Sequence, residues 1–225
     1  MANGKWYPQT ASQVADVLQM YSERWGVDAA EFYDNNFFVH EARTAEFAER
    51  IIPLRMSWWG EARIDTLLKY SPRTWQLMRD SSLRMVFMGA ESGSAETLKR
   101  MDKGGAMSPD KTFEIARLMK SHGIIPEFSF VLGSPPDPEA DIRETLEFIR
   151  KVKIVSPLAE IVMYLYTPVP LAGDLYDAAQ AQGFAFPQTL DEWISRAWAN
   201  FSQRGWTILL RWGLVIIHNL TYCRS

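Results

Sequence analysis

Five times between residues 29 and 166 an apolar run breaks off into polar, glycine or proline residues. Residues 29–33 open onto Asp34-Asn35-Asn36, and residues 56–60 onto Glu61-Ala62-Arg63. The run after Arg84 opens onto Glu91-Ser92-Gly93, residues 127–132 onto Gly133-Ser134-Pro135-Pro136, and residues 161–166 onto Thr167-Pro168-Val169-Pro170. Helix-forming sequence lies between these runs. Strands that alternate with helices pair in parallel through right-handed crossovers, which admits an open doubly wound sheet or a curved, partly closed barrel. Periodicity does not choose between the two. In either one, the residues just past the strands gather at the carboxyl end of the sheet, where α/β proteins bind their ligands.

Val14, Val17, Leu18, Tyr21 and Trp25 recur at helical spacing behind Ser12, and Gly26 stops the pattern, so residues 12–25 read as an amphipathic helix. Further helices are expected near residues 42–50, 72–80, 94–101, 108–121, 141–152 and 173–182. The best marked has Ser108 as its cap, Pro109 in its first turn and Gly123 as a left-handed terminator. Glu139, Asp141 and Glu144 read as the acidic first turn of a helix, suited to its positive end, rather than as catalytic carboxylates. Trp58, Trp59, Trp193 and Trp198 read as core. In residues 190–203, Trp193, Ala197 and Phe201 share one helical face, which is expected to form a C-terminal cap.

With 225 residues, 47% of them hydrophobic, the chain can bury one substantial core. A net charge of −3 with interspersed signs offers no basic face for a nucleic-acid backbone. His40, His122 and His218 lack the spacing of a zinc site, and the single cysteine, Cys223, forms no internal disulfide. The apolar stretch 206–217 is shorter than the roughly 20 residues a membrane helix needs and is interrupted by Arg211. With no secretory signal at the N-terminus, a cytoplasmic location is the expectation.

Four segments, in order, carry a family resemblance. They are Phe32-Tyr33-Asp34-Asn35-Asn36-Phe37; Trp59-Gly60-Glu61-Ala62-Arg63; Met88-Gly89-Ala90-Glu91-Ser92-Gly93-Ser94 with Leu98-Lys99-Arg100-Met101-Asp102-Lys103 behind it; and Phe130-Val131-Leu132-Gly133-Ser134-Pro135 followed by the helix from Asp141. Together they resemble the body of a radical S-adenosylmethionine enzyme of the type often fused to a cobalamin-binding domain, over about residues 5 to 183. The resemblance implies an α/β fold, a partial (β/α)6 TIM-like barrel that retains the second to sixth strands and misses the first. It places a truncated core at residues 1–183 and a helical C-terminal cap with an atypical apolar tail at 184–225.

The same resemblance implies a function. In the family a [4Fe-4S] cluster, with one open iron, binds the amino and carboxylate groups of S-adenosylmethionine and cleaves its sulfonium by electron transfer, and the cofactors carry the difficult chemistry. By position, Asp34 and Asn35 would face the mouth, and Glu61 and Arg63 would bind the zwitterionic end of the cofactor. Glu91 and Ser92 would reach its ribose or ammonium, and Gly93 or Gly133 would permit close backbone approach. The residues alone leave simpler readings open: an exposed Glu61–Arg63 ion pair, a self-bonded turn at Asp34-Asn35, and a strand-to-helix turn capped by Ser94.

The departure lies in the cluster motif, C-x-x-x-C-x-x-C, whose three thiolates this chain does not have. A fragment without cluster-dependent activity is the leading expectation, derived from an enzyme that methylates or rearranges an unreactive carbon of a small-molecule or lipid-like substrate. A non-catalytic barrel that binds or scaffolds, and an acid-base barrel enzyme using Glu61 and Glu91, are the competing readings. No metal site is expected from the chain's own residues, and cobalamin enters only through a domain outside it.

Overall fold

The computed structural model of the chain describes residues 7–101, 107–167, 173–181 and 185–199. The apolar stretch 206–217, Pro168 to Pro170 of the proline-rich turn and Cys223 lie outside them. The chain divides into two compact units, residues 1–164 and 165–225, with the division inside the last strand.

The first unit runs α1 (Ala11–Trp25), β1 (Ala29–Phe32), α2 (Glu41–Ile51), β2 (Ser57–Ala62), α3 (Ile64–Leu67), α4 (Pro72–Asp80), β3 (Leu83–Glu91), α5 (Ala95–Arg100), α6 (Pro109–Ser121), β4 (Ile125–Leu132), α7 (Pro138–Val155) and β5 (Glu160–Leu165), whose last residue falls in the second unit. The second unit holds α8 (Asp174–Ala181) and α9 (Leu190–Trp193), the latter opened by a capping box between Thr189 and Glu192.

Local chemistry explains where the helices begin. The Thr10 hydroxyl accepts from the Gln13 backbone while the Gln13 side chain accepts from Thr10 N–H, so α1 starts one residue ahead of Ser12, and Gly26 closes it at φ +65°. Ser108 and Pro109 open α6 as their sequence predicts. Asp137 accepts from Ala140 N–H and Pro138 follows it, so α7 begins three residues ahead of Asp141 and draws that carboxylate into its buried side.

The strands lie in the order β1-β2-β3-β4-β5, and β1–β2, β2–β3 and β3–β4 pair in parallel. When each right-handed crossover adds the next strand on the same side, every connecting helix falls on one face of the sheet. A doubly wound sheet needs helices on both faces, so this order selects the partial barrel. The burial pattern agrees. Trp58, Ala62, Val86, Met88, Ala90, Phe128 and Phe130 are buried, while Trp59, Glu61, Phe87 and Glu127, which alternate with them, are only partly covered. Trp58 is therefore core and Trp59 is on the open face. Among the described residues β1 and β5 are the two edges of the sheet.

Two contacts fix the loops at the carboxyl end. Phe37 and Phe38, in the turn after β1, are buried against Phe47 and Trp58, and Phe37 N–H donates to Glu61 O at 3.0 Å. That bond fastens the turn bearing Asn35 to the end of β2. Across the sheet, α7 is seated on the turn after β3. The Thr145 hydroxyl meets Ser92 Oγ at 3.2 Å and accepts from Gly93 N–H at 3.2 Å, and a Cβ at Gly93 would overlap the side chain of Phe148. A Gly93→Ala variant is expected to lose about 1–3 kcal/mol through this overpacking, measured by urea denaturation; unchanged stability would show that α7 can move aside freely.

Candidate functional site

A cavity of about 260 Å³ opens at the carboxyl ends of β2 and β3, bordered by Asn35, Glu61, Arg63, Asp65, Glu91 and Ser129. Each arrives by a local rule. Glu61 is an odd-face residue of β2, because the strand runs on to Ala62 and the next buried residue, Ala62, turns to the helices. Sequence ended this strand at Gly60 and missed the extension. Arg63 is the extended residue that leads into the short helix α3, and Asp65 lies within its first turn.

Glu91 needs a more unusual device. Gly89 pairs with Ser129 but Glu91 pairs with Phe130, so the register shifts around Ala90, and Glu91 takes a left-handed backbone at φ +65°. Its carboxylate folds back over Gly89, where any Cβ would collide with it. The absence of a side chain at Gly89 is what lets Glu91 lean into the cavity.

Of the eight residues singled out in the sequence, Asn35, Glu61, Arg63 and Glu91 border the cavity. Asp34 is exposed, and its charge acts on Arg43 instead. Ser92 is fully buried, with its hydroxyl shared between Thr145 and the Ser94 N–H, and so is not presented to a ligand. Gly93 approaches α7 closely, with Phe148 and Thr145 where a Cβ would stand. Gly133, at φ +84°, donates its N–H to Asp141 Oδ2 at 2.9 Å. The same oxygen accepts from Ser134 N–H at 3.0 Å, while Asp141 Oδ1 accepts from the Thr97 hydroxyl at 2.9 Å. Asp141 is therefore neither a catalytic carboxylate nor simply an acidic first turn: it ties α5 and the turn after β4 to α7.

Asp65, Gly89, Met107 and Ser129 border the cavity without having been anticipated. For Asp65 a signal existed. Its spacing of two from Arg63 lets one carboxylate meet the guanidinium side-on, and it accepts from Nε at 2.9 Å and Nη2 at 3.3 Å. The ion pair of this segment is thus Arg63–Asp65 rather than Arg63–Glu61. Burial pushes the Asp65 carboxyl up, but the Arg63 hydrogen bond and charge, with Lys69 and Lys111, outweigh it and hold the carboxyl below its usual range. Asp65 in turn holds Arg63 more firmly protonated.

Below the cavity the open face of the sheet is acidic. Register sets Glu61, Phe87 and Glu127 in one row across β2, β3 and β4. Burial, then the charges of Glu160, Glu31 and Glu61, raise the Glu127 carboxyl above its usual value. Among the described residues no group of three or more His, Cys, Asp or Glu side chains is arranged to hold a metal ion, and no helix is long and apolar enough to cross a membrane.

Known proteins place this geometry. The Radical SAM superfamily profile matches residues 1–149, and the chain belongs to that superfamily. An uncharacterized methyltransferase of Pyrococcus horikoshii, PH0819, is 24% identical over 152 residues, covering 67% of this chain and 32% of the relative. The chain thus spans about a third of that relative's length. The solved structure of TsrM from Kitasatospora setae, a radical S-adenosylmethionine methyltransferase with cobalamin and a [4Fe-4S] cluster bound, superposes with a TM-score of 0.58 at 16% identity, over 71% of this chain and 30% of TsrM. The same enzyme with tryptophan and a cofactor analogue bound gives 0.57 over 70% of this chain and 30% of that one. These likenesses establish the fold, a parallel α/β sheet of the partial-barrel kind.

Because the Glu127 carboxyl is raised in the folded state, its contribution favours folding most below pH 4.5, the ordinary value, and is lost as pH rises through the folded value. Glu127→Gln should therefore be more stable than the wild type at neutral pH, with the difference vanishing below about pH 4. Thermal melts across that range check this; a variant less stable at pH 7 would show that the ionised carboxylate is favourably paired.

Proposed function

We propose that the cavity receives the methionine end of S-adenosylmethionine, and that the chain supplies the cofactor-orienting part of a radical S-adenosylmethionine enzyme. The observation that carries this reading is the layout of charge: Arg63 is the one cation among the described residues bordering the cavity, set among Glu61, Asp65 and Glu91. The cofactor presents a carboxylate to such a cation, and an ammonium and a sulfonium to such carboxylates. The volume, about 260 Å³, is below the roughly 300–1,000 Å³ of pockets that enclose a whole small molecule, and suits one polar end of the ligand. Given an electron from a reduced cluster that this chain does not itself hold, the cofactor would supply hydrogen-abstraction chemistry; Arg63, Glu61 and Glu91 would bind and orient it, and Asn35 would offer an amide at the rim.

The four-iron cluster does not fit the residues present, since it needs three thiolates and the chain has one cysteine. No step through the cluster is therefore assigned to this chain, and by itself it is proposed to be inactive in that chemistry. Residues 1–183 are taken as the core that the family shares. Similarity to a relative described as a methyltransferase favours radical methylation over rearrangement of an unreactive carbon, with cobalamin bound by a domain other than this one. The single cysteine equally supports a second reading, a non-catalytic protein that keeps the cavity as a binding site.

Without an iron to chelate the amino and carboxylate groups, each hydrogen bond contributes only about 0.5–1.5 kcal/mol net, so affinity is expected in the millimolar range. Titration calorimetry should show this weak binding and its loss in Arg63→Ala; micromolar binding untouched by that substitution would put the cofactor elsewhere. In anaerobic reconstitution with iron and sulfide, the chain is expected to retain no stoichiometric four-iron cluster on desalting, with or without Cys223. A stable visible charge-transfer absorbance after desalting would overturn the assignment.

A further inference from the structure

We infer that Asp65 is a positioning residue: it holds the Arg63 guanidinium as the carboxylate receptor of the cavity and keeps it from collapsing onto Glu61. The inference rests on the cofactor reading of the same site.

The argument begins with the unequal exposure of the pair. The Asp65 side chain is 19% exposed and that of Arg63 is 57% exposed, so the acid is the anchor and the arginine the arm. Asp65 occupies one edge of the guanidinium, Nε and Nη2, through two hydrogen bonds. Nη1 makes no hydrogen bond to any described residue, which leaves the outer edge of the fork available to a ligand. A guanidinium meets a carboxylate best through two parallel bonds, and a fork already fixed in its plane loses less side-chain freedom on forming them.

Electrostatics give Asp65 a second role. Glu61 is two residues before Arg63 and Glu91 borders the same cavity, so a released arginine would have carboxylates to fold onto. Pairing with Glu61 would cancel the charge separation that a zwitterion needs. Asp65, set within the first turn of α3, meets the guanidinium outside that contest. The geometry also explains how a net acidic cavity can accept a carboxylate: the open fork edge belongs to the one cation among the described residues that border it.

The test compares S-adenosylmethionine with its decarboxylated analogue, titrated by NMR into the full chain, for wild type, Arg63→Ala, Asp65→Ala and Asp65→Asn, each first checked for folding by its melt. Wild type is expected to prefer the carboxylate-bearing ligand by about threefold to tenfold. Asp65→Ala and Arg63→Ala should both abolish that preference, read as the ratio of the two affinities within each variant. Asp65→Asn, which keeps one oxygen acceptor, should retain part of it. The Arg63 Nε–Hε signal, which reports the bond to Asp65, should lie downfield in wild type, less so in Asp65→Asn and not in Asp65→Ala. A preference that survives in both Asp65 variants but is lost in Arg63→Ala overturns the positioning role and leaves the site reading intact. A wild type that binds neither ligand, or an Arg63→Ala variant that keeps the preference, overturns the site reading and the inference with it.

Discussion

Each strand of this sheet must serve two faces of opposite chemistry, and the rest of the molecule follows from that demand. Trp58, Val86, Met88, Phe128 and Phe130 point to the helices and are fully buried, while Glu61, Phe87 and Glu127 alternate with them toward the open side. Successive side chains of a strand point to opposite faces, so a slip of one residue would bury carboxylates and expose tryptophan. The register is held by the large apolar side chains, and the placement of the polar ones is its consequence. Glu61 reaches the cavity because Trp58 and Ala62 cannot leave the core.

At the end of β3 that alternation is deliberately broken. The register shift around Ala90 and the left-handed backbone of Glu91 turn a carboxylate over Gly89 that a regular strand would direct elsewhere. Such a conformation costs on the order of 1–3 kcal/mol and persists only where its surroundings hold it. Here the hold comes from α7. Thr145 binds Ser92 and Gly93 just beyond the bend, and Asp141 ties the turn after β4 and Thr97 of α5 to the same helix. α7, none of whose residues borders the cavity, thus secures two of the loops that edge the sheet's carboxyl end.

The electrostatics of the open face run against stability. The charges of Glu160, Glu31 and Glu61 act on Glu127, which is itself partly covered. A fold selected only for stability would neutralise some of them. Their arrangement places that cost in the protein's pH response rather than in its core.

Much was readable without coordinates. Apolar runs ending in polar turns announced a parallel α/β sheet, the capping residues Ser108 and Pro109 announced α6, and the four segments around Asn35, Glu61, Glu91 and Gly133 announced the superfamily. These features are local, set by propensity, period and capping within a few residues of each other. Which polar residues share the cavity was not local. Ser92, Gly93 and Gly133 stand beside Glu91 or Ser134 in sequence, yet they are spent on α7, because the packing of Phe148, Thr145 and Asp141 claims them. Asp65 was not singled out in the sequence, and the turn of α3 is what brings both of its oxygens to Arg63. The choice of a partial barrel over a doubly wound sheet likewise waited on the strand order, since the hand of each crossover is general but the edge on which the next strand is added is decided by tertiary packing.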